Sequence, residues 1–137
     1  MKIVVDTNVF ISGVFFSGPP FQILKLWQER KIQILITLEI LDEYKRVSEI
    51  LANQFPAIDL NPILNYLLMN AELITPSILN ETICDDPDDD KFIACTLTGN
   101  CKTIVSGDKH LLRISGYQNI EVFKPREFLN QIISSLE

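Results

Sequence analysis

Three stretches of this chain place carboxylates where structural elements should end. Met1-Lys2-Ile3-Val4-Val5 halts on Asp6, followed by Thr7-Asn8, and Thr103-Ile104-Val105 ends in Ser106-Gly107-Asp108. Asp85-Asp86-Pro87-Asp88-Asp89-Asp90 sets five acids in six positions ahead of a helical pattern. A β-branched apolar run stopping on an acid is what a fully buried parallel strand looks like when it delivers a carboxylate to the carboxyl edge of a sheet. Carboxylates gathered in a partly dehydrated cleft repel and resist ionising together, so the cluster is costly unless a cation neutralises it. The chemistry that follows is a divalent-metal site with oxygen ligands. Singly, each acid has a plainer account as an N-cap or turn residue. Their combined placement is what argues for a site.

Further acids sort by spacing. Glu39 and Glu43 fall four residues apart on a predicted helix and share a face, where like charges cost about 0.2–0.5 kcal/mol without an outside partner. Asp42 and Arg46 read as a surface pair, whereas Glu43 lies near the apolar stripe and can lean toward the sheet edge. Asp85 and Asp86 precede Pro87 and belong to turn structure; Asp88 and Asp89 are assigned to capping. Asp90, expected one turn inside the helix before Phe92-Ile93-Ala94, is the best-placed member. Ser106 can donate to a phosphate or a metal-bound water. Lys91, Lys109 and Arg113 lie beside the proposed site, to meet a phosphate backbone or simply to be solvated.

These groups need elements to position them. The chain reads as a strand to Val5, an apolar stretch Val9 to Phe16 ending at Ser17-Gly18-Pro19-Pro20, and a helix from Phe21 to Arg30 facing inward through Leu24 and Trp27. Ile32 to Ile36 is a second strand. Thr37 caps a helix whose Leu41, Tyr44, Val47 and Leu51 form a buried stripe up to about residue 53. Asn61-Pro62 opens another helix with Ile63, Leu64, Leu67 and Leu68 on its apolar face. Glu72 to Thr75 is a short third strand, and Asp88 or Asp89 caps a helix carrying Phe92, Ile93 and Leu97 to a stop at Gly99. Lys102 to Ser106 and Ile120 to Phe123 are strands four and five. Pro125 begins a closing helix with Phe128, Leu129, Ile132 and Leu136 inward. Alternating strands and helices predict a single α/β domain over residues 1–137, a three-layer α/β/α sandwich around a mostly parallel sheet of about five strands.

At 137 residues, 47% hydrophobic and 22% charged, the chain can bury a full core without staples. No apolar stretch reaches bilayer length and the N-terminus lacks a secretory pattern, so a cytoplasmic protein is expected, without a membrane partner. Cys84, Cys95 and Cys101 read as buried free thiols; with His110 the only histidine, a tetrahedral zinc site is hard to assemble. A lone histidine also weakens nucleophile-and-imidazole enzymes. The net charge of -6 lacks the basic footprint of a general nucleic-acid binder, although a metal-filled acidic cluster offsets part of it.

Asp6-Thr7-Asn8-Val9, the helical acid Glu43, Asp90-Lys91-Phe92-Ile93-Ala94 and Ser106-Gly107-Asp108 together resemble the PIN domain over essentially the full length. The Asp-Pro-Asp-Asp-Asp stretch and the Gly-Asp-Lys-His-Leu-Leu segment most resemble members that serve as toxins of toxin-antitoxin pairs. The resemblance implies a ribonuclease acting on single-stranded RNA, in which Asp6, Glu43, Asp90 and Asp108 are the catalytic acids and hold one or two Mg²⁺ or Mn²⁺ ions. Asn8 and Ser106 are then polar support, and Lys91 supports the site or meets substrate. It also implies an antitoxin protein as partner. A homodimer is expected if apolar residues around Leu41 or Leu67 are exposed. A haloacid dehalogenase-like phosphatase shares the acid at the first strand's end but requires a second aspartate where this chain has Asn8. A receiver domain needs an acidic pair near the first strand and an acceptor on the third, and neither is found. A non-catalytic RNA- or protein-binding PIN domain should have lost a metal acid, and all four are present.

Overall fold

The computed structural model describes residues 1–79 and 81–136, without the side chain of Leu136. Its sheet is built from β1 (Lys2–Val5), β2 (Gln33–Ile36), β3 (Glu72–Leu73), β4 (Thr103–Val105) and β5 (Glu121–Phe123). The spatial order is β3-β2-β1-β4-β5 and every pairing is parallel. The chain therefore starts in the middle, works outward to one edge, and returns to build the other. The strand order reverses between β1 and β4. In an open parallel sheet that switch point leaves a crevice beyond the carboxyl ends of its two strands, where ligands bind. Val4 pairs with Ile104 and Val5 with Val105, so β1 and β4 end level, and the Asp6 N–H continues the ladder to the Val105 carbonyl at 3.1 Å.

Seven α-helices flank the sheet among the described residues: α1 (Thr7–Phe15), α2 (Pro19–Gln28), α3 (Leu38–Ala52), α4 (Asn61–Asn70), α5 (Asp90–Thr98), α6 (Lys109–Arg113) and α7 (Pro125–Leu136). The expected α/β architecture with a five-strand parallel sheet is the one observed. Ile3, Val4, Val5, Ile34, Leu35, Ile104 and Val105 are buried, as strands covered on both faces must be. Tyr44 ties α3 to the middle of the sheet: its ring stacks on Phe10 of α1 at 4.2 Å and its hydroxyl donates to the Val5 carbonyl. Helix α5 packs closely beside the sheet, where a Cβ on Gly99 would stand 2.4 Å from Leu35 Cδ2. No single described helix is long and apolar enough to cross a membrane.

Several local expectations need correction. Val9 to Phe16 is not a featureless apolar run: α1 begins immediately after Asp6, whose Oδ1 caps it by accepting the Val9 N–H at 2.8 Å. Thr37 caps α3 as expected, accepting from Ile40 N at 3.1 Å. Asn61 does not cap α4 through its side chain; its own N–H is accepted by Asp59. Neither Asp88 nor Asp89 caps α5 by a side-chain hydrogen bond. Instead Asp86 caps a 3₁₀ turn, Pro87–Asp89, that runs straight into α5 and makes Asp90 its first residue rather than one a turn inside. Asp42 and Arg46 form no ion pair among the described residues. Leu41 and Leu67 themselves are buried, at 9% and 0% exposure, while Leu38, Leu68 and Met69 near them on the same two helices are exposed. The expected inward role of Leu136 falls outside the described residues.

Candidate functional site

Asp6 is the centre of the acidic crevice. It emerges from β1 at the switch point, is 4% exposed, and divides its carboxylate between two jobs. One oxygen caps α1; the other accepts the Ser106 hydroxyl proton. Ser106, the residue after β4, in turn accepts the Asp108 N–H at 2.9 Å, so one hydroxyl links the carboxyl ends of both strands. Burial pushes the Asp6 carboxyl up to about 6; the hydrogen bonds from Ser106 and Val9 oppose this, and the charges of Asp108 and Glu43 add to it. A carboxyl with a raised pKa beside two other acids is the electrostatic signature of a site awaiting positive charge.

Asp108 caps α6 by accepting the His110 N–H at 2.7 Å and carries its charge toward both Asp6 and Asp89. Asp89 is pushed up to about 6, first by burial, then by Asp108 and Asp86, against the pull of His110 and Lys91. Its Oδ2 is buried and has no hydrogen-bond partner among the described residues. The capping role expected of Asp89 is not made by its side chain, whose charge is felt alongside that of Asp108. His110 lies on the rim, Nδ1 3.7 Å from Asp85, which pairs with Arg113 at 2.9 Å.

Glu43 reaches the crevice because Tyr44 beside it is locked to Val5. Its Oε2 is ion-paired with Lys91 Nζ at 2.5 Å, and the same ammonium contacts Asp88 Oδ2 at 3.0 Å and donates to the Asp88 carbonyl at 2.8 Å. Lys91 is thus neither a solvated charge nor open to a phosphate: its side chain is 6% exposed. Burial alone would lower its pKa, yet the hydrogen bonds to Glu43 and Asp88 win and raise it.

Asp90 is engaged elsewhere. Its Oδ2 accepts the Ile83 N–H at 3.0 Å and its Oδ1 the Cys84 N–H at 2.8 Å, which ties the preceding loop to the head of α5. The four expected acids are therefore brought to one region but not into one shell: Asp6, Glu43 and Asp108 share an electrostatic neighbourhood, and Asp90 faces the 83–84 backbone. Among the described residues no three His, Cys, Asp or Glu side chains are gathered closely enough to hold a metal as they stand. The chemistry of the donors nevertheless fits a hard divalent cation, since all are carboxylate oxygens, one of them, on Asp89, is buried and unsatisfied among the described residues, and their charges destabilise one another.

Two grooves approach these acids. One of about 440 Å³ is bounded by Asn8, Ser12, Gly107 and Asp108. The other, about 500 Å³, runs past Thr37, Glu39, Asp90, Lys91 and Ala94. The three cysteines are free and buried, and burial pushes the Cys84 and Cys95 thiols up to about 12, as inert structural thiols should be.

An open parallel α/β domain with carboxylates at the switch point between β1 and β4 presents an acidic crevice where sheets of this kind bind ligands. Residues 2–110 match the PIN domain family model, and the chain belongs to that family. PIN domains are typically metal-dependent ribonucleases, so membership points to a nuclease. The chain is also 30% identical to an uncharacterised protein of Methanocaldococcus jannaschii, over 96% of this chain and 91% of that protein.

Proposed function

We propose that this protein is a divalent-metal-dependent endoribonuclease that hydrolyses phosphodiesters of single-stranded RNA. The observation that carries the reading is Asp6, buried at the switch-point crevice, tied to β4 through Ser106 and raised by burial with the charges of Asp108 and Glu43 adding to it. Asp6 and Asp108 form its centre, Glu43 closes one side, and Asp89 lends an oxygen beside Asp108. Asp90 keeps a free lone pair on each oxygen while it holds the 83–84 loop. A bound Mg²⁺ or Mn²⁺ supplies Lewis acidity toward water and phosphodiester. The protein's own contribution is to aim the oxygens: Ser106 fixes the Asp6 carboxylate, and Asn8 lines the groove along which the RNA backbone reaches Asp108.

The test is incubation of single-stranded RNA with purified protein and Mg²⁺ or Mn²⁺. Cleavage should need the metal and disappear in Asp6→Asn and Asp108→Asn. Activity that persists in a chelator or in both variants refutes the mechanism.

The likeness of the Asp85–Asp90 and Gly107–Leu112 segments to toxins supports a finer reading, a cytoplasmic toxin held in check by an antitoxin. It predicts that expression of the wild type, but not of Asp6→Asn, arrests growth. A homodimer would use the exposed apolar residues of α3 and α4, which are Leu38, Ile50, Leu68 and Met69.

A further inference from the structure

Lys91 stands apart from the chain's other cations. Its ammonium lies inside the acidic cluster, in contact with Glu43 Oε2 at 2.5 Å and Asp88 Oδ2 at 3.0 Å and donating to the Asp88 carbonyl at 2.8 Å. Its two carboxylate partners are not equivalent. Glu43 is 18% exposed and contributes to the field on Asp6, so it belongs to the crevice; Asp88 is 69% exposed and lies on its outer rim. Lysine carries its charge on a flexible four-carbon stem. It can therefore let go of the inner acid while keeping the outer one.

That asymmetry matters because Glu43 Oε2 is buried and has the Lys91 ammonium as its counter-charge. A divalent ion bonds a carboxylate oxygen at about 2.0–2.6 Å, and two cations crowded on one carboxylate repel strongly where water is scarce. We infer that Lys91 is an internal counter-ion that competes with the divalent metal for Glu43, swinging to Asp88 alone when metal takes the glutamate. The inference rests on the metal reading above and deepens it: the lysine sets how tightly the crevice holds its cation, and its release moves a positive charge toward the groove bounded by Asp90 and Ala94.

The experiment compares wild type with Lys91→Met, which keeps the stem's bulk and removes the charge. Mn²⁺ affinity is read by titration calorimetry, and thermal melting is followed in chelator and in Mn²⁺. The variant should melt lower in chelator, because Glu43 has lost its partner, yet bind Mn²⁺ about tenfold more tightly and gain more on metal addition. If the variant does not fold, the wild type still decides: the Lys91 side-chain NMR signal, assigned by its loss in Lys91→Arg, should shift on saturation with Mg²⁺. Equal or weaker Mn²⁺ binding by Lys91→Met, or a Lys91 signal indifferent to Mg²⁺, overturns the inference while leaving the metal site standing. Wild type that binds no Mn²⁺ at all removes both.

Discussion

Asp90 accepts the Cys84 N–H at 2.8 Å with one oxygen while the other accepts the Ile83 N–H, so the acid expected to face the crevice holds a loop against the head of α5. A backbone N–H left without an acceptor in a part-buried setting costs about 1–3 kcal/mol. Asp90→Ala should therefore destabilise the fold measurably in chelator, before any metal is considered. Hydrogen exchange gives the direct readout: the Ile83 and Cys84 amides should lose protection selectively. Unchanged protection at both would mean that the loop is held by other contacts.

Asp6 should show the opposite sign. Its carboxyl is raised from 3.8 to about 6, so the folded protein binds that proton more tightly than the unfolded chain does. Between those values the folded state carries more protons, and stability falls as pH rises through them, then levels off. Burying the charge at neutral pH thus costs up to about 3 kcal/mol, from roughly two units at about 1.4 kcal/mol each. In chelator, Asp6→Asn should melt higher than wild type at pH 7.5, and the gap should close toward pH 4. The same variant should be inactive on RNA. An Asn variant less stable than wild type at pH 7.5 would show that the Ser106 and Val9 hydrogen bonds outweigh desolvation.

Much of this fold was legible because both faces of a parallel sheet are covered. Ile34-Leu35-Ile36 and Thr103-Ile104-Val105 read as unbroken apolar runs for that reason, and the acids after β1 and β4 marked the switch point. The apolar spacing of α1 was less readable, since Val9, Phe10, Ile11 and Phe15 are buried around most of its circumference and leave no polar face to set a period. The polar network was hidden for a different reason. Asp90 bonds backbone N–H groups, which every residue type but proline carries, and Lys91 finds Glu43 across two helices that only the folded sheet brings together. Spacing locates an acid near a crevice; it does not say which partner claims its oxygens.

Gly99 tests the packing that delivers α5 to the sheet. A methyl group there would lie 2.4 Å from Leu35 Cδ2 and 3.0 Å from the Cys95 carbonyl, closer than van der Waals contact allows. Gly99→Ala should cost about 1–3 kcal/mol by overpacking, seen as a lower urea midpoint. Activity per folded molecule should hold, because the displaced end of α5 lies far along the helix from Asp90. A variant as stable as wild type would show that Leu35 repacks freely.

Ser106 offers the sharpest separation of positioning from folding within the crevice. Its hydroxyl donates to Asp6 and accepts from the Asp108 backbone, so it fixes the relative placement of two acids without being charged itself. Removing such a support from a metal-ligating carboxylate typically lowers metal affinity or activity about 10- to 100-fold. Ser106→Ala should show that loss, while Ser106→Thr, which keeps the hydroxyl, should recover part of it wherever its extra methyl fits the fully buried site. Mn²⁺-induced thermal stabilisation should follow the same ranking as RNA cleavage, because both depend on how the Asp6 oxygens are aimed. If Ser106→Ala cleaves RNA and takes up Mn²⁺ like wild type, the hydroxyl is only a structural tie between β1 and β4, and Asp6 is oriented by its bond to the Val9 N–H.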